Sequence, residues 1–410
     1  MLSTFLNTFF RLPLSNRSMI YLMWIYSLGG VITGVFLNIY VFKIHSSIED
    51  LIIYNLVFYT ASFAGFGLLG WLMSLLIANI RNMYYISYVL FIVAYYVLLA
   101  FDGTLSAVYI FGILFGLGNG SFWNAVHTQE LKNIENQNRD FYSSSISAGQ
   151  NIISIVVPFV VAFIFYITDL YQMDGYWVLF ETLPIVYLFS FIFIHHIDSY
   201  FPPKITRKDV SNFFDLKKYK FGHLYFLIRG ISHGFVITTM PIITIMMLKN
   251  EVNIGLFQGI LTLVSTFLIV YLSTRRMSTN RMLYFSWIST GLCLMYIFFG
   301  WQFHFVGFLI FSLLGLFLNP LFRISEHVYD LHLMDGIKTE ESDFYPGMIL
   351  REVILWTGRL ISIVFLLFFL YVLQFDTEMI IRIGLFGAGI SFLLGIGSIF
   401  CWEKYEKNSL

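Results

Sequence analysis

The chain has 410 residues, of which 58% are hydrophobic and only 12% are charged, and its formal net charge is zero. An ordinary soluble domain carries charge on roughly 25% of its residues, so too little polar surface is present to cover a water-soluble protein of this length. The balanced charge also lacks the basic footprint of a nucleic-acid-binding protein, and we expect no nucleic-acid partner.

Apolar residues come in blocks of about twenty, the length that crosses a bilayer as a helix. We therefore predict an all-α integral membrane protein with twelve transmembrane helices in two pseudo-symmetric six-helix bundles. We place the bundles at 1–200 and 221–410 and a basic linker at 201–220. The predicted spans cover residues 19–43, 51–79, 82–101, 104–126, 143–168, 175–197, 222–248, 252–274, 280–300, 303–327, 346–374 and 377–402.

Basic residues fall on one side of this arrangement. Both termini and the linker carry lysine and arginine, and the linker alone holds six of them (Lys204, Arg207, Lys208, Lys217, Lys218 and Lys220). The opposite loops are short and mostly acidic, with only Lys43 and Lys249 as cations. Positive charge collects on the cytoplasmic side of membrane proteins, so we predict that both termini and the linker are cytoplasmic.

The two halves resemble each other in sequence. The stretch FGILFGLGNGSFWNAVHTQE at 111–130 aligns without a gap with FSLLGLFLNPLFRISEHVYD at 311–330. Asn119 meets Asn319 and His127 meets His327, and such polar matches are harder to obtain by chance than apolar ones. Parallel repeats of six helices about an axis along the membrane normal are one known transporter architecture.

Twelve spans, a six-plus-six repeat and a basic central loop resemble the major facilitator superfamily. Gly70 and Leu72 fit the motif that this family carries between helices 2 and 3, whereas Ser74 and Leu75 replace its acid and first arginine. The chain is similar to bacterial members at Phe122-Trp123, Asn138-Arg139-Asp140-Phe141-Tyr142 and Arg351-Glu352. The resemblance implies a transporter of the bacterial inner membrane and implies no particular substrate.

The seventh span carries the most informative buried charge. Arg229 lies nine residues past Lys220, roughly 13 Å into the membrane, and His233 lies one turn further on the same face. A charged side chain at that depth costs several kcal/mol unless it is paired or wetted. We interpret Arg229 either as an anion-binding or gating residue or as one half of a structural ion pair, and the sequence favours neither.

Charged residues of the tenth and eleventh spans extend this set. Glu352 and Arg359 are seven residues apart and share a helix face. Glu352 lies at a depth similar to that of Arg229 and has the opposite charge, so we expect these two residues to pair. We predict that these residues, together with Arg323, Glu326 and Arg351, form a charge network near the cytoplasmic side. The network would break and re-form during transport or, alternatively, hold one bundle together.

Two carboxylates are candidates for proton coupling. A buried carboxylate is the usual means of coupling transport to protons. Glu181 lies about six residues into the sixth span, and the alternative for it is a boundary residue that faces water. Glu352 is the rival candidate. Asn119 and Asn319 lie deeper in their spans than the flanking histidines and are our candidates for substrate contacts.

No motif points to an enzyme, a cofactor or a metal site: the chain has no Walker loop, dinucleotide fingerprint or nucleophile elbow. We therefore expect a monomeric secondary active transporter of a small organic solute in the lipid bilayer. Alternating access about a midplane site would be driven by a gradient of H⁺ or another ion. An exporter of amphipathic or lipid-like compounds and a non-transporting scaffold or sensor remain the alternatives.

Overall fold

The computed structural model describes residues 8–45, 47–101, 104–133, 136–214, 216–273, 281–337 and 344–409. These ranges contain helices and connecting turns, and no strand occurs within them. Twelve long helices follow one another: α1 Leu14–Ile44, α2 Ile48–Leu76, α3 Arg81–Ala100, α4 Leu105–Asn133, α5 Asn136–Leu170, α6 Gly175–Ile194, α7 Leu216–Leu248, α8 Glu251–Ser273, α9 Arg281–Trp301, α10 Phe305–Ile337, α11 Phe344–Tyr371 and α12 Thr377–Ser409.

These helices confirm the predicted all-α membrane fold. Eleven of them are long and apolar enough to cross a bilayer. In the part of the chain that the structure describes, α8 supplies a shorter apolar stretch, Glu251–Phe267. A bilayer core needs about 20 apolar residues of helix, and each helix lies where the sequence predicted a span. The chain is a multi-pass integral membrane protein.

The helices are not uniform cylinders. The structure has a π-helical turn at Thr33–Leu37 in α1 and another at Ala64–Leu68 in α2. Proline lies inside α5, α7 and α10 at Pro158, Pro241 and Pro320. Membrane helices tolerate such breaks because neighbouring helices and hydroxyl side chains satisfy the freed backbone groups. No pattern in the sequence predicted either π-helical turn.

The chain divides into two compact units that do not follow the helix order strictly. Unit 1 comprises Met1–His45, Thr60–Ile205 and Asn250–Gly259. Unit 2 comprises Ser46–Tyr59, Thr206–Lys249 and Ile260–Leu410. The first turns of α2 therefore belong to unit 2, and the first turns of α8 belong to unit 1. The bundle boundaries at 200 and 221 remain a prediction.

Helix packing repeats within the two units. In unit 1, α1 packs on α5 and α6, and α3 packs on α4 and α6. In unit 2, α7 packs on α11 and α12, and α9 packs on α10 and α12. The helices α7 and α9 thus have the same neighbours in unit 2 that α1 and α3 have in unit 1. This recurrence is the pattern expected from a duplicated six-helix bundle.

Candidate functional site

The charged side chains of unit 2 meet where α7 and α11 cross at close range. A Cβ atom at Gly230 would lie 2.3 Å from the carbonyl oxygen of Leu355, and one at Gly358 would lie 2.2 Å from that of Leu227. Only glycine permits two backbones to approach so closely. Each glycine directly follows or precedes an arginine, so the crossing brings Arg229 and Arg359 into the same region of unit 2.

Two ion pairs lie next to this crossing. Arg229 Nε is 3.0 Å from Glu326 Oε1, which joins α7 to α10. Arg359 Nη1 donates to Glu352 Oε1 at 2.7 Å within α11. The side chains of Arg359 and Glu352 are 16% and 11% exposed, so water screens this pair weakly. Their long side chains together bridge two turns of helix.

An aromatic ring and a histidine complete the group. The Arg359 guanidinium lies 5.3 Å from the centre of the Tyr59 ring, within cation–π range. His233 meets the same ring edge-on, with centroids 5.7 Å apart. On α10, Arg323 lies one turn before Glu326, the residue that binds Arg229. We call these side chains the arginine cluster: Arg229, Arg323, Arg359, Glu326, Glu352, His233 and Tyr59.

The arginine cluster corrects one predicted pairing. We expected Glu352 to bind Arg229, but Glu352 binds Arg359, its neighbour two turns along α11. Arg229 instead binds Glu326, which reaches it from α10. Sequence spacing ranked the candidates by depth and sign, whereas the close crossing at Gly230 and Gly358 decides which side chains meet.

Charge within the arginine cluster is unbalanced. Three arginines stand against two glutamates, which leaves one positive charge in excess. Arg323 and His233 both have exposed side chains. Within the described part of the chain, Arg323 takes part in no ion pair or hydrogen bond. The cluster therefore presents a cation that the described carboxylates leave uncompensated, next to an accessible imidazole.

The remaining predicted residues lie elsewhere. Glu181 has an exposed side chain on α6, and Arg351 lies next to Glu352 on α11 with a half-buried side chain. Asn319 is exposed on α10. His327 lies within α10, but its side chain falls outside the described residues. The structure thus gathers the predicted charges of unit 2 but leaves Glu181 and Asn319 outside the arginine cluster.

Unit 1 holds an uncharged hydrogen-bonded chain of side chains. The Tyr26 hydroxyl donates to Asn119 Oδ1 at 2.6 Å, and Asn119 Nδ2 donates to Ser62 Oγ at 2.8 Å. Trp123 Nε1 donates to the Tyr26 hydroxyl at 2.9 Å. The Tyr26 ring also stacks on Phe122 with centroids 4.2 Å apart. We call Tyr26, Ser62, Asn119 and Trp123 the neutral network; it joins α1, α2 and α4.

A second polar contact ties α1 to α5 nearby. Gln150 Nε2 donates to Ser27 Oγ at 2.9 Å, and Ser27 in turn donates to the Met23 carbonyl at 2.7 Å. Trp24 Nε1 donates to the Ile146 carbonyl at 3.3 Å. These side chains are half-buried rather than enclosed. Unit 1 therefore offers neutral donors, acceptors and aromatic faces, in contrast to the charges of unit 2.

The histidine near the end of α4 forms a local pair. His127 Nδ1 lies 3.5 Å from Glu130 Oε2, and its ring packs against Trp123 with centroids 5.3 Å apart. Among the described residues, no group of three or more histidine, cysteine or acidic side chains is arranged to hold a metal ion. The His127–Glu130 contact joins neighbouring turns near the end of α4.

A family model described as Major Facilitator Superfamily matches residues 19–322, which is more than half of the chain. The chain belongs to the Major Facilitator Superfamily. It is 24% identical over 389 residues to a protein of Bacillus subtilis (strain 168) named YqgE and described as uncharacterized; the match covers 91% of this chain and 87% of that protein.

Solved structures agree with the superfamily fold. The POT family transporter PepTSo has a TM-score of 0.69 at 11% identity, covering 97% of this chain and 99% of that chain. A mutant of the nucleoside transporter NupG has a TM-score of 0.62 at 14% identity, covering 94% of this chain and 99% of that chain. At such low identity these similarities establish the fold of this superfamily member and do not extend to its substrate.

Sequence reasoning missed some polar residues that the structure places in clusters. Tyr59 was read only as part of the apolar second span, and no spacing rule marks it as a partner of Arg359. Lys43 was interpreted as a loop cation and Glu251 was not singled out, yet their side chains meet in unit 1. An acid in the first turn of a span is a visible signal, but its partner lies 208 positions away.

Proposed function

We propose that this superfamily member is a secondary active transporter that moves a small organic solute with an acidic group across the bacterial cytoplasmic membrane. Both termini and the basic linker would lie in the cytoplasm. Family membership supports transport, and the charge pattern of the loops supports the orientation. The arginine cluster of unit 2 supports the acidic character of the solute.

The excess positive charge is the observation that carries this proposal. Arg229 and Arg359 are each held by a glutamate, whereas exposed Arg323 has no ion-pair partner among the described residues. An arginine within a membrane helix is expensive unless a counter-charge or water reaches it. A carboxylate or phosphate on the solute would supply that counter-charge through two parallel hydrogen bonds to one guanidinium.

The neutral network of unit 1 supports a solute that also has a polar, uncharged part. Tyr26, Asn119 and Trp123 combine hydrogen-bonding groups with aromatic faces. Such a lining suits a hydroxyl, an amide or a planar ring. Tyr26, Asn119 and Trp123 are only half-buried, so their polar edges favour a small polar solute over an amphipathic one.

A gradient is the proposed energy source, and H⁺ is the coupling ion that we favour. One structural neighbour comes from work titled as concerning proton dependent oligopeptide transporters; it has a TM-score of 0.64 at 10% identity and covers 95% of this chain and 96% of that chain. In this chain Glu352 and Glu181 remain the proposed proton carriers. Glu352 has the buried position that such a role requires, whereas Glu181 is exposed.

A thermal-shift screen with purified protein tests the solute class. We expect small carboxylates or phosphates to raise the Tm of the wild-type protein and to lose this effect in Arg323→Gln. The matched control is Arg207→Gln, which removes an exposed arginine from the linker helix Arg207–Phe213 and should leave the response intact. Stabilisation by neutral or amphipathic solutes alone would contradict the proposed substrate class.

A further inference from the structure

A nearly buried carboxylate begins helix α8. Glu251 is 7% exposed, and its Oε1 atom accepts from Lys43 Nζ at 2.6 Å. The Tyr176 hydroxyl donates to the same oxygen. All three residues belong to unit 1, although α8 continues into unit 2. One glutamate thus joins the beginning of α8 to the ends of α1 and α6, on the predicted outer side.

Tyr176 is held rigidly for this contact. Its ring packs against Tyr40 and Phe165 with centroid distances of 4.9 Å each, and against Phe180 at 5.8 Å. Its backbone N–H donates to Asp174 Oδ1 at 2.8 Å, where Asp174 caps the start of α6. The hydroxyl therefore points at Glu251 from a fixed position, and little side-chain freedom remains to be lost on binding.

Two glycines continue the attachment of α8 along α5. A Cβ atom at Gly255 would lie 2.5 Å from the Pro158 carbonyl oxygen, and one at Gly259 would lie 2.7 Å from the Phe159 ring. Glycines four positions apart let membrane helices pack closely. Gly259 is also the last residue of α8 that belongs to unit 1. The close packing of α8 on α5 therefore ends at the residue where α8 passes from unit 1 into unit 2.

Helix α2 repeats this arrangement in unit 2. Its first turns, within Ser46–Tyr59, belong to unit 2 while the rest of the helix belongs to unit 1. Glu49 lies in the first turn of α2 and accepts from the Tyr371 hydroxyl at the end of α11. Each of the two divided helices thus carries a first-turn glutamate that binds a tyrosine hydroxyl. Among the described residues, Glu251 also binds a lysine and Glu49 does not.

We propose that Glu251 is a gating residue of the transport cycle, whose ion pair with Lys43 latches the outer end of α8 to unit 1 and keeps the pathway closed on that side. The inference rests on the proposed transport function. The Lys43 side chain is 42% exposed, so water can reach the pair and compete for it when the latch opens. Loss of either charge shifts the protein toward the state in which this segment is released.

The latch is tested by labelling a buried position on α8. Ile254 is 0% exposed and lies one turn after Glu251. Ile254→Cys is introduced into a variant in which Cys293 and Cys401 have been replaced. Intact cells that carry this variant are treated from outside with a membrane-impermeant maleimide. We expect slow labelling with the latch intact. Lys43→Met and Glu251→Gln should each accelerate it about tenfold, which corresponds to about 1.4 kcal/mol.

Matched variants separate the latch from general damage. Lys249→Met removes another exposed cation close to α8 and should leave the labelling rate unchanged. The charge exchange Lys43→Glu with Glu251→Lys should restore slow labelling. Tyr176→Phe removes only the hydroxyl, keeps the fold, and should give an intermediate rate.

Unchanged labelling in Lys43→Met, Glu251→Gln and Tyr176→Phe would overturn the latch. Equal acceleration by Lys249→Met would also overturn it, as would a charge exchange that fails to restore slow labelling. Labelling needs no solute, so its result is independent of whether flux is observed. A protein that labels as expected but moves no solute would contradict the proposed transport function and would still support the latch.

Discussion

Arg359 and Glu352 show how this protein accommodates charge inside a membrane helix. Both side chains are largely buried, and each is the other's counter-charge across two turns of α11. Arg229 and Glu326 solve the same problem between two helices. Removal of one member of such a pair leaves a charge in low-dielectric surroundings, whereas removal of both does not.

The Arg359–Glu352 pair can be tested by a double-mutant cycle. We expect Arg359→Met alone to destabilise the protein by about 3 kcal/mol, because Glu352 is left buried and unpaired. The double variant Arg359→Met with Glu352→Leu should lose clearly less. The measurement is thermal unfolding in detergent. A loss in the double variant that equals the sum of the losses in Arg359→Met and Glu352→Leu would show that the two charges do not interact.

The neutral network gives a second residue-scale prediction. Tyr26→Phe removes the acceptor of Trp123 Nε1 and the donor to Asn119, so we expect a loss of about 1–3 kcal/mol, visible as a lower Tm. Asn319→Ala is the matched control from the corresponding place in the second half, since Asn319 is exposed. The same Tm change in both variants would mean that the network contributes no specific stability.

Depth and sign of the charged residues were predictable, but their partners were not. Counting residues from the linker placed Arg229 well inside the bilayer, and spacing put Glu352 and Arg359 on one face. The pairing depends on how close α7 and α11 come and on side-chain reach, which no one-dimensional pattern contains. Tyr59 was missed for the same reason, because a tyrosine in an apolar span is unremarkable until an arginine lies over it.

At the scale of the helix, the crossing of α7 and α11 gives a prediction of its own. Gly358→Ala would place a methyl group against the Leu227 carbonyl, so the two helices must separate and we expect a clearly lower Tm. Gly397→Ala on α12 meets no atom within 4 Å and should be neutral or stabilising, because alanine favours helix over glycine by about 1 kcal/mol. Equal Tm values for the two variants would contradict the close crossing.

Helix number and approximate bounds followed from hydropathy because a bilayer requires about twenty apolar residues in succession. The π-helical turns at Thr33–Leu37 and Ala64–Leu68 did not, since their sequences are ordinary apolar stretches with glycine. The sequence also did not predict that α2 and α8 are each divided between the two units. This division depends on packing against helices far along the chain, as the Gly255 contact with Pro158 illustrates.

At the scale of the whole molecule, the repeat explains why the fold was accessible from one sequence. The alignment of 111–130 with 311–330 predicted two related bundles, and the helix pairings recur within the two units. The polar content has diverged between them: unit 1 has the neutral network and unit 2 has the arginine cluster. The scaffold is therefore duplicated, whereas its polar residues are not.

The orientation of the chain can be tested independently of any substrate. We expect a reporter that is active only in the cytoplasm to be active when it is fused after the last residue or inserted in the linker near Lys208. The same reporter inserted near Gln374, between α11 and α12, should be inactive. Activity at Gln374 together with inactivity in the linker would reverse the topology, because the basic loops would then face outward.

Flux into proteoliposomes is the most direct test of the proposed gradient-driven movement of a small acidic solute. The purified protein is reconstituted, a pH gradient is imposed, and the uptake of labelled carboxylates identified by the thermal-shift screen is followed. We predict uptake that collapses when the gradient is dissipated and that falls at least about tenfold in Arg323→Gln but not in Arg207→Gln. Extrusion of lipids or dyes without carboxylate uptake, or the absence of flux for every solute that binds, would contradict the account.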